Sequence, residues 1–340
     1  MKKCTTKNRQ KYFLNLLNFV LMTLAWAYLY SQIKNHQSFF LQITDLWNEL
    51  QKNKAILSIV FALMFVNWIL EAKKWQILIK SLAKINLFQS LESVWVGLTL
   101  ATFLPLGNYL GRAKNLPQKN RFDSAGALLV NGGLQFWVTM LGGIYGVSQF
   151  LKVSNSITFL LFVFWILIYL LGLFFYNKYS YKEMFVSENN EQGRETQIKR
   201  EGKFIRQLRT ESIFWLQKNL YSISQYFQKD ILKTTFFALL RYGVFLLQMI
   251  LIFKASGFLL SIEKIIVGSS LLFTAKSILP VGGFLVGLSV REAMALYFFG
   301  TLGENKVVTI TFVLWIINIG VPVLIGSFLI LKNTKTKQNQ

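Results

Sequence analysis

Residues 102–113 read TFLPLGNYLGRA, and residues 277–293 read SILPVGGFLVGLSVREA. Each stretch carries Leu-Pro-x-Gly, a second glycine four or five residues later, and then an arginine. The chain has only four prolines, and Pro105 and Pro280 are two of them. Proline and glycine release backbone N–H and C=O groups that hydrocarbon cannot satisfy. Such breaks persist at membrane depth only where protein or a wet cavity surrounds them. Two alike broken segments, one in each half of a chain, point to an inverted repeat with a site between the halves. The plainer alternative is a pair of proline-kinked spanning helices that resemble each other by chance.

The sequence around these breaks is that of a membrane protein. It is 53% hydrophobic and only 15% charged, and the apolar residues fall in blocks. Several blocks run for about 20 residues, enough to cross a hydrocarbon core of roughly 30 Å. Little remains for a soluble domain, and the alternating pattern of an outer-membrane barrel is absent. The expected fold is all-α: a polytopic helical membrane protein forming a single integral membrane domain over 1–340. Six spans are expected at 12–33, 55–72, 124–150, 157–176, 231–253 and 307–331, with broken blocks at 88–111 and 262–300. Residues 35–53 pattern as an interfacial amphipathic helix, with Phe39, Phe40, Ile43, Leu46, Trp47 and Leu50 at helical spacing. The N-terminal segment has a basic head and an apolar centre, as a signal peptide does. Its length, with Trp26 and Tyr28 too bulky for a cleavage site, favours a retained span.

Lys and Arg outnumber Asp and Glu by 37 to 15, a net charge of +22. The charges lie in the gaps between apolar blocks, the pattern of cytoplasmic loops near anionic lipid rather than of a nucleic-acid surface. With the N-terminus inside, the segments 1–11, 72–87, 107–123, 177–230 and 332–340 hold 26 basic residues, and the remaining loops hold seven. That split has a condition. Block 88–111 must enter and leave from the cytoplasmic side, and block 262–300 from the other. Charge therefore asks for two re-entrant hairpins dipping in from opposite faces. The basic 177–230 segment is read as a cytoplasmic loop.

At these residues the chain resembles the transmembrane, flippase-like domain of the lysylphosphatidylglycerol synthase (multiple peptide resistance factor) family. The family's first motif is similar to Thr-Pro-Asn-Arg-Ile-Gly-Glu-Tyr-x-Gly-Arg, and Thr102, Gly107, Tyr109, Gly111 and Arg112 fall in step with it. Its second, Gly-Val-Arg-Glu-Ala, is matched by Val290, Arg291, Glu292 and Ala293. WILEAKKWQILI at 68–79 resembles the aromatic and basic end of an early span. Asn108 stands where the motif has an acid, as does Gly287 near the second, so acid-dependent chemistry is not implied. Nothing resembles the synthase domain, so lysyl transfer is not expected. The resemblance implies lipid translocation in a bacterial inner (plasma) membrane, and the charge count places both termini on its cytoplasmic side.

Candidate site residues follow from charge at depth. Arg112 and Arg291 suit bidentate phosphate binding. For Arg112 the alternative is an anchor at the membrane surface; for Arg291 it is an ion pair with Glu292. Lys276 snorkels, pairs with Glu292 or meets a headgroup. Asn108, Thr102 and Ser277 line a polar cavity or satisfy freed carbonyls. Gly107, Gly111, Gly282 and Gly283, with Pro105 and Pro280, break the hairpins; the glycines expose amides or serve close helix packing. Glu71 and Glu92 read as interfacial, and Trp95, Trp137, Trp165 and Trp315 as packing residues. Lone Cys4 and His36 exclude a disulfide framework and a multi-Cys/His metal site. No nucleophile–base pair or phosphate-binding loop is present, so neither enzymatic chemistry nor a cofactor is expected.

Three functions fit. The first is a flippase-like protein moving a phospholipid or polyprenyl phosphate between leaflets, with anionic membrane lipids as partners. The second is an accessory membrane subunit docking an envelope lipid- or glycan-biosynthesis enzyme. The third is a transporter of soluble organic anions. No nucleic-acid partner is expected.

Overall fold

The computed structural model describes residues 44, 48–104, 106–187, 228–257, 260–279, 284–299 and 304–338. The expected span at 12–33, most of 35–53, residues 188–227, and the break residues Pro105, Pro280, Gly282 and Gly283 lie outside the described residues.

The protein is all-helical, with no strand among the described residues. Its helices are α1 (Lys54–Leu78), α2 (Leu87–Phe103), the short α3 (Gly107–Arg112), α4 (Ser124–Phe150), α5 (Asn155–Ser187), α6 (Gln228–Ala255), α7 (Ile262–Ile278), α8 (Phe284–Phe299), α9 (Glu304–Trp315) and α10 (Val321–Gln338). A π turn over Ile316–Gly320 joins α9 to α10. Among the described residues, five segments are long and apolar enough to cross a membrane: Lys54–Leu78, Ser124–Phe150, Asn155–Phe174, Gln228–Ala255 and Val307–Lys332.

α1 and α6 pair antiparallel along their whole length. Lys80 meets Asp230 at one end, Arg241 meets Asn67 and Glu71 at mid-height, Gln248 donates to the Val60 carbonyl, and Asn53 donates to that of Ala255 at the other end. α4 starts beside Leu82, whose carbonyl accepts from Asn120, and climbs to the opposite end. There Phe150 meets Phe298 of α8 edge to face.

Two helical hairpins insert into this frame. In the first, Asn86 caps α2 in a capping box with Gln89, so the helix has a defined start. After Phe103 the backbone turns extended at Leu104 and left-handed at Leu106 (φ 64°). The short α3 then runs back against α2. A Cβ on Gly107 would collide with the Leu100 backbone, and one on Gly111 with that of Gly97. The chain returns as far as Glu92, which pairs with Lys114 at 2.7 Å, and Asn115 bonds the Gln89 carbonyl. In the second hairpin Ser261 caps α7, and α8 comes back so far that Phe299 packs on Gly268. The first hairpin thus opens at the Lys80–Asp230 end and the second at the Phe150–Phe298 end. Their 17-residue first arms, about 26 Å long at 1.5 Å per residue, are shorter than any of the five apolar segments.

Three expectations are corrected. The basic stretch placed in a loop at 72–87 is helical as far as Leu78, and Lys74 is fully buried. Residues 177–187, assigned to the 177–230 loop, continue α5. Glu71 is not interfacial: it lies on the α6- and α4-facing side of α1, where its charge is paired by helices remote in sequence. The glycines Gly107 and Gly111 serve close packing rather than display of amides, because α2 covers them.

Candidate functional site

Glu71 sits on α1 with 2% of its surface exposed. Its Oε1 accepts from Arg112 Nη2 at 2.5 Å and Asn131 Nδ2 at 2.8 Å. Its Oε2 accepts from Arg241 Nη1 at 2.5 Å and Lys74 Nζ at 3.2 Å. One carboxylate therefore gathers three cations from α1, α3 and α6. Each cation is steadied by further groups. Arg112 Nε bonds Asn108 Oδ1 at 2.9 Å, and its guanidinium lies over Trp75. Arg241 Nε bonds Asn67 Oδ1 at 2.7 Å, with its guanidinium between Trp68 and Phe245. Lys74 Nζ also reaches Gln135 Oε1 at 3.0 Å. Aromatic faces favour a cation in such a position by about 0.5–2 kcal/mol.

A second, smaller ion pair stands on α8. Arg291 Nη2 bonds Glu292 Oε1 at 2.8 Å and the carbonyl of Thr311 on α9, and the Thr311 hydroxyl donates to Glu292 Oε2. Adjacent residues on one helix point in different directions, so this pair holds because Thr311 closes it from the neighbouring helix.

Between the two centres lies a cavity of about 380 Å³, within the range of small-molecule sites. Arg241, Lys276 and Arg291 all line it, with Trp68, Tyr242 and Phe245 forming an aromatic wall. Lys276 Nζ has no hydrogen-bond or ion-pair partner among the described residues. It shares the lining of the cavity with Arg291 and Arg241. The second hairpin contributes Lys276, Ser277 and Arg291 to the lining; the first contributes Leu98. The π turn brings in Asn318, whose carbonyl accepts from Trp68 Nε1 at 3.1 Å. Widened turns of this kind recur at functional sites.

The sequence candidates divide accordingly. Lys276 and Arg291 face the cavity. Glu292 stands behind Arg291, and Arg112 and Asn108 stand behind Arg241, sharing Glu71 with it rather than lining the cavity. Lys276 does not pair with Glu292, because Arg291 and Thr311 occupy that carboxylate. Ser277 and Thr102 bond carbonyls of their own helices, at Phe273 and Thr99. Trp137 and Trp165 stack on each other, and Trp315 stacks on Phe312, as packing residues do. Sequence reading passed over Arg241, Lys74 and Thr311, and placed Glu71 at the interface. Arg241 was legible: it is an isolated charge inside FFALLRYGVFLLQMI, the same signal that singles out Arg291. Glu71 was masked by Lys73 and Lys74 beside it, which make it look like a helix end.

No group of three or more potential metal-ligating side chains occurs among the described residues. Compared with protein-family models, curated proteins and solved structures, the chain matches none.

Proposed function

We propose that this protein moves a phosphate-bearing lipid between the leaflets of a bacterial inner membrane, its headgroup passing through the cavity while its acyl chains stay in the bilayer. The observation that carries this reading is the meeting of Arg241, Lys276 and Arg291 in one cavity flanked by two hairpins that open at opposite ends. Phosphate is the chemistry that planar guanidinium and ammonium donors match best. Cations placed at this depth are costly unless a charged ligand or a carboxylate meets them.

In this reading both hairpins are re-entrant, residues 12–33 add a sixth span, and the two halves form an inverted repeat with both termini cytoplasmic. The positive-inside count and the opposed hairpin openings support it together. The short motif likeness at Thr102–Arg112 and Val290–Ala293 supports membership of the lysylphosphatidylglycerol synthase transmembrane family, and that family's flippase-like role.

The test is a proteoliposome assay with the purified full chain and headgroup-labelled phospholipids and polyprenyl phosphates. Movement above empty vesicles, lost in Arg291→Ala, is the expected result. No movement of any of these lipids, or full movement by Arg291→Ala, would overturn the reading; uptake of a labelled soluble anion alone would replace it with solute transport.

A further inference from the structure

The cavity's charge balance narrows the headgroup, provided the cavity is read as a headgroup site. Around it stand five cations, Lys74, Arg112, Arg241, Lys276 and Arg291, and two carboxylates, Glu71 and Glu292. A net charge of three remains to be met. Lys74 and Arg112 are buried, Arg241 and Arg291 are partly buried, and Lys276 is exposed along the cavity; cations gathered so closely around two carboxylates favour an anion among them.

Three features say which anion. First, no Asp or Glu lines the cavity among the described residues. Glu71 has both oxygens occupied by Lys74, Arg112, Arg241 and Asn131, and Glu292 is closed by Arg291 and Thr311. An ammonium on the ligand would find no carboxylate to pair with. Second, Trp68 and Phe245, faces that would attract a quaternary ammonium, already carry Arg241 at 5.4 and 5.5 Å. Third, donors remain open: Lys276 Nζ, and Arg291 Nε, which is buried and without a hydrogen-bond partner among the described residues. A zwitterionic diester brings its own cation toward three others, a repulsive placement that discriminates against it. A phosphomonoester carries about −1.5 to −2 at pH 7 and three acceptor oxygens.

We propose that the cavity selects a terminal phosphoryl group, a phosphomonoester or diphosphate bearing more than one negative charge and no cation of its own, and that Lys276 donates to it. Arg241 and Arg291 each keep a carboxylate partner, so Lys276 is the residue whose charge the ligand alone offsets.

Calorimetric titration of the purified full chain in neutral detergent tests this. The probes are dioctanoyl phosphatidic acid, phosphatidylglycerol and phosphatidylethanolamine, and soluble pyrophosphate. Phosphatidic acid is expected to bind roughly tenfold or more tightly than phosphatidylethanolamine, the scale of one charge-assisted hydrogen bond, with phosphatidylglycerol between them. Lys276→Gln is expected to erase the preference and Lys276→Arg to keep it; both side chains face the cavity, so folding is not at stake. Equal or tighter binding of phosphatidylethanolamine, an undiminished preference in Lys276→Gln, or no binding of any phosphoryl probe overturns the proposal. Pyrophosphate binding as tightly as phosphatidic acid supports it while moving the ligand into solution, which counts against lipid translocation. Selective binding without lipid movement in vesicles likewise sinks the transport reading and leaves the selectivity standing.

Discussion

Arg241 on α6 places its Nη1 2.5 Å from Glu71 Oε2 on α1, 170 positions earlier in the chain. The same arginine lines the cavity, while the other oxygen of Glu71 holds Arg112 of the first hairpin. One carboxylate thus ties that hairpin to the cavity wall. Any movement of α3 relative to α6 has to break or stretch a contact to Glu71, so hairpin position and cavity charge are mechanically linked through it.

Removing that carboxylate leaves three cations facing one another. Breaking a buried ion pair by deleting one partner costs about 3–5 kcal/mol. Glu71→Gln is therefore expected to lower the thermal stability of the detergent-purified protein markedly, read by size-exclusion profile after heating. An unchanged melting temperature would show that the cluster is compensated in some other way.

Arg241 and Arg112 share Glu71 but differ in what they face. Lysine cannot serve Asn67, Glu71 and an aromatic face together, as the planar guanidinium of Arg241 does. Both Arg241→Lys and Arg112→Lys are expected to reduce stability. Only Arg241→Lys should also weaken binding of a phosphoryl probe, by roughly tenfold, on the scale of a lost charged hydrogen bond. Equal weakening by the two variants would place the ligand on the far side of Glu71.

The first hairpin closes because glycine meets glycine. A side chain at Gly111 has no room against Gly97, so Gly111→Val must force α3 away from α2. Loss of monodisperse protein, or of the Arg112–Glu71 contact, is expected. Gly132 has nothing within 4 Å of its would-be Cβ, and Gly132→Ala should stay within about 0.5 kcal/mol of the parent, as open surface sites do. If Gly111→Val behaves like Gly132→Ala in the same stability assay, the close crossing of α2 and α3 is wrong.

Hairpins that return to their own side have a topological signature. In a Cys4→Ser background, Lys84→Cys and Gln118→Cys flank the first hairpin, and Glu263→Cys and Asn305→Cys flank the second. A membrane-impermeant maleimide applied to intact cells should modify both members of the second pair and neither of the first. Labelling of one member within either pair would make that hairpin a spanning helix and remove the opposed-hairpin arrangement.

Local signals were readable from the chain alone. Helical class and the apolar blocks at 55–72, 124–150, 157–176, 231–253 and 307–331 follow from hydropathy, which depends only on neighbours in sequence. The break after Phe103 follows from Pro105, which has no N–H to give to a helix, with the permissive Gly107 close behind it. Lys276 and Arg291 stood out as charges in apolar runs for the same local reason. Partnership was decided only by tertiary structure. Whether Glu71 ends a helix at the interface or lies buried cannot be told from Lys73 and Lys74 beside it; it depends on α3, α4 and α6 arriving with Arg112, Asn131 and Arg241. Electrostatic pairing acts through space over a few ångströms, and sequence separation carries no trace of it. That is why the charged residues were visible in the sequence, whereas the carboxylate that organises them emerged only once the helices were packed.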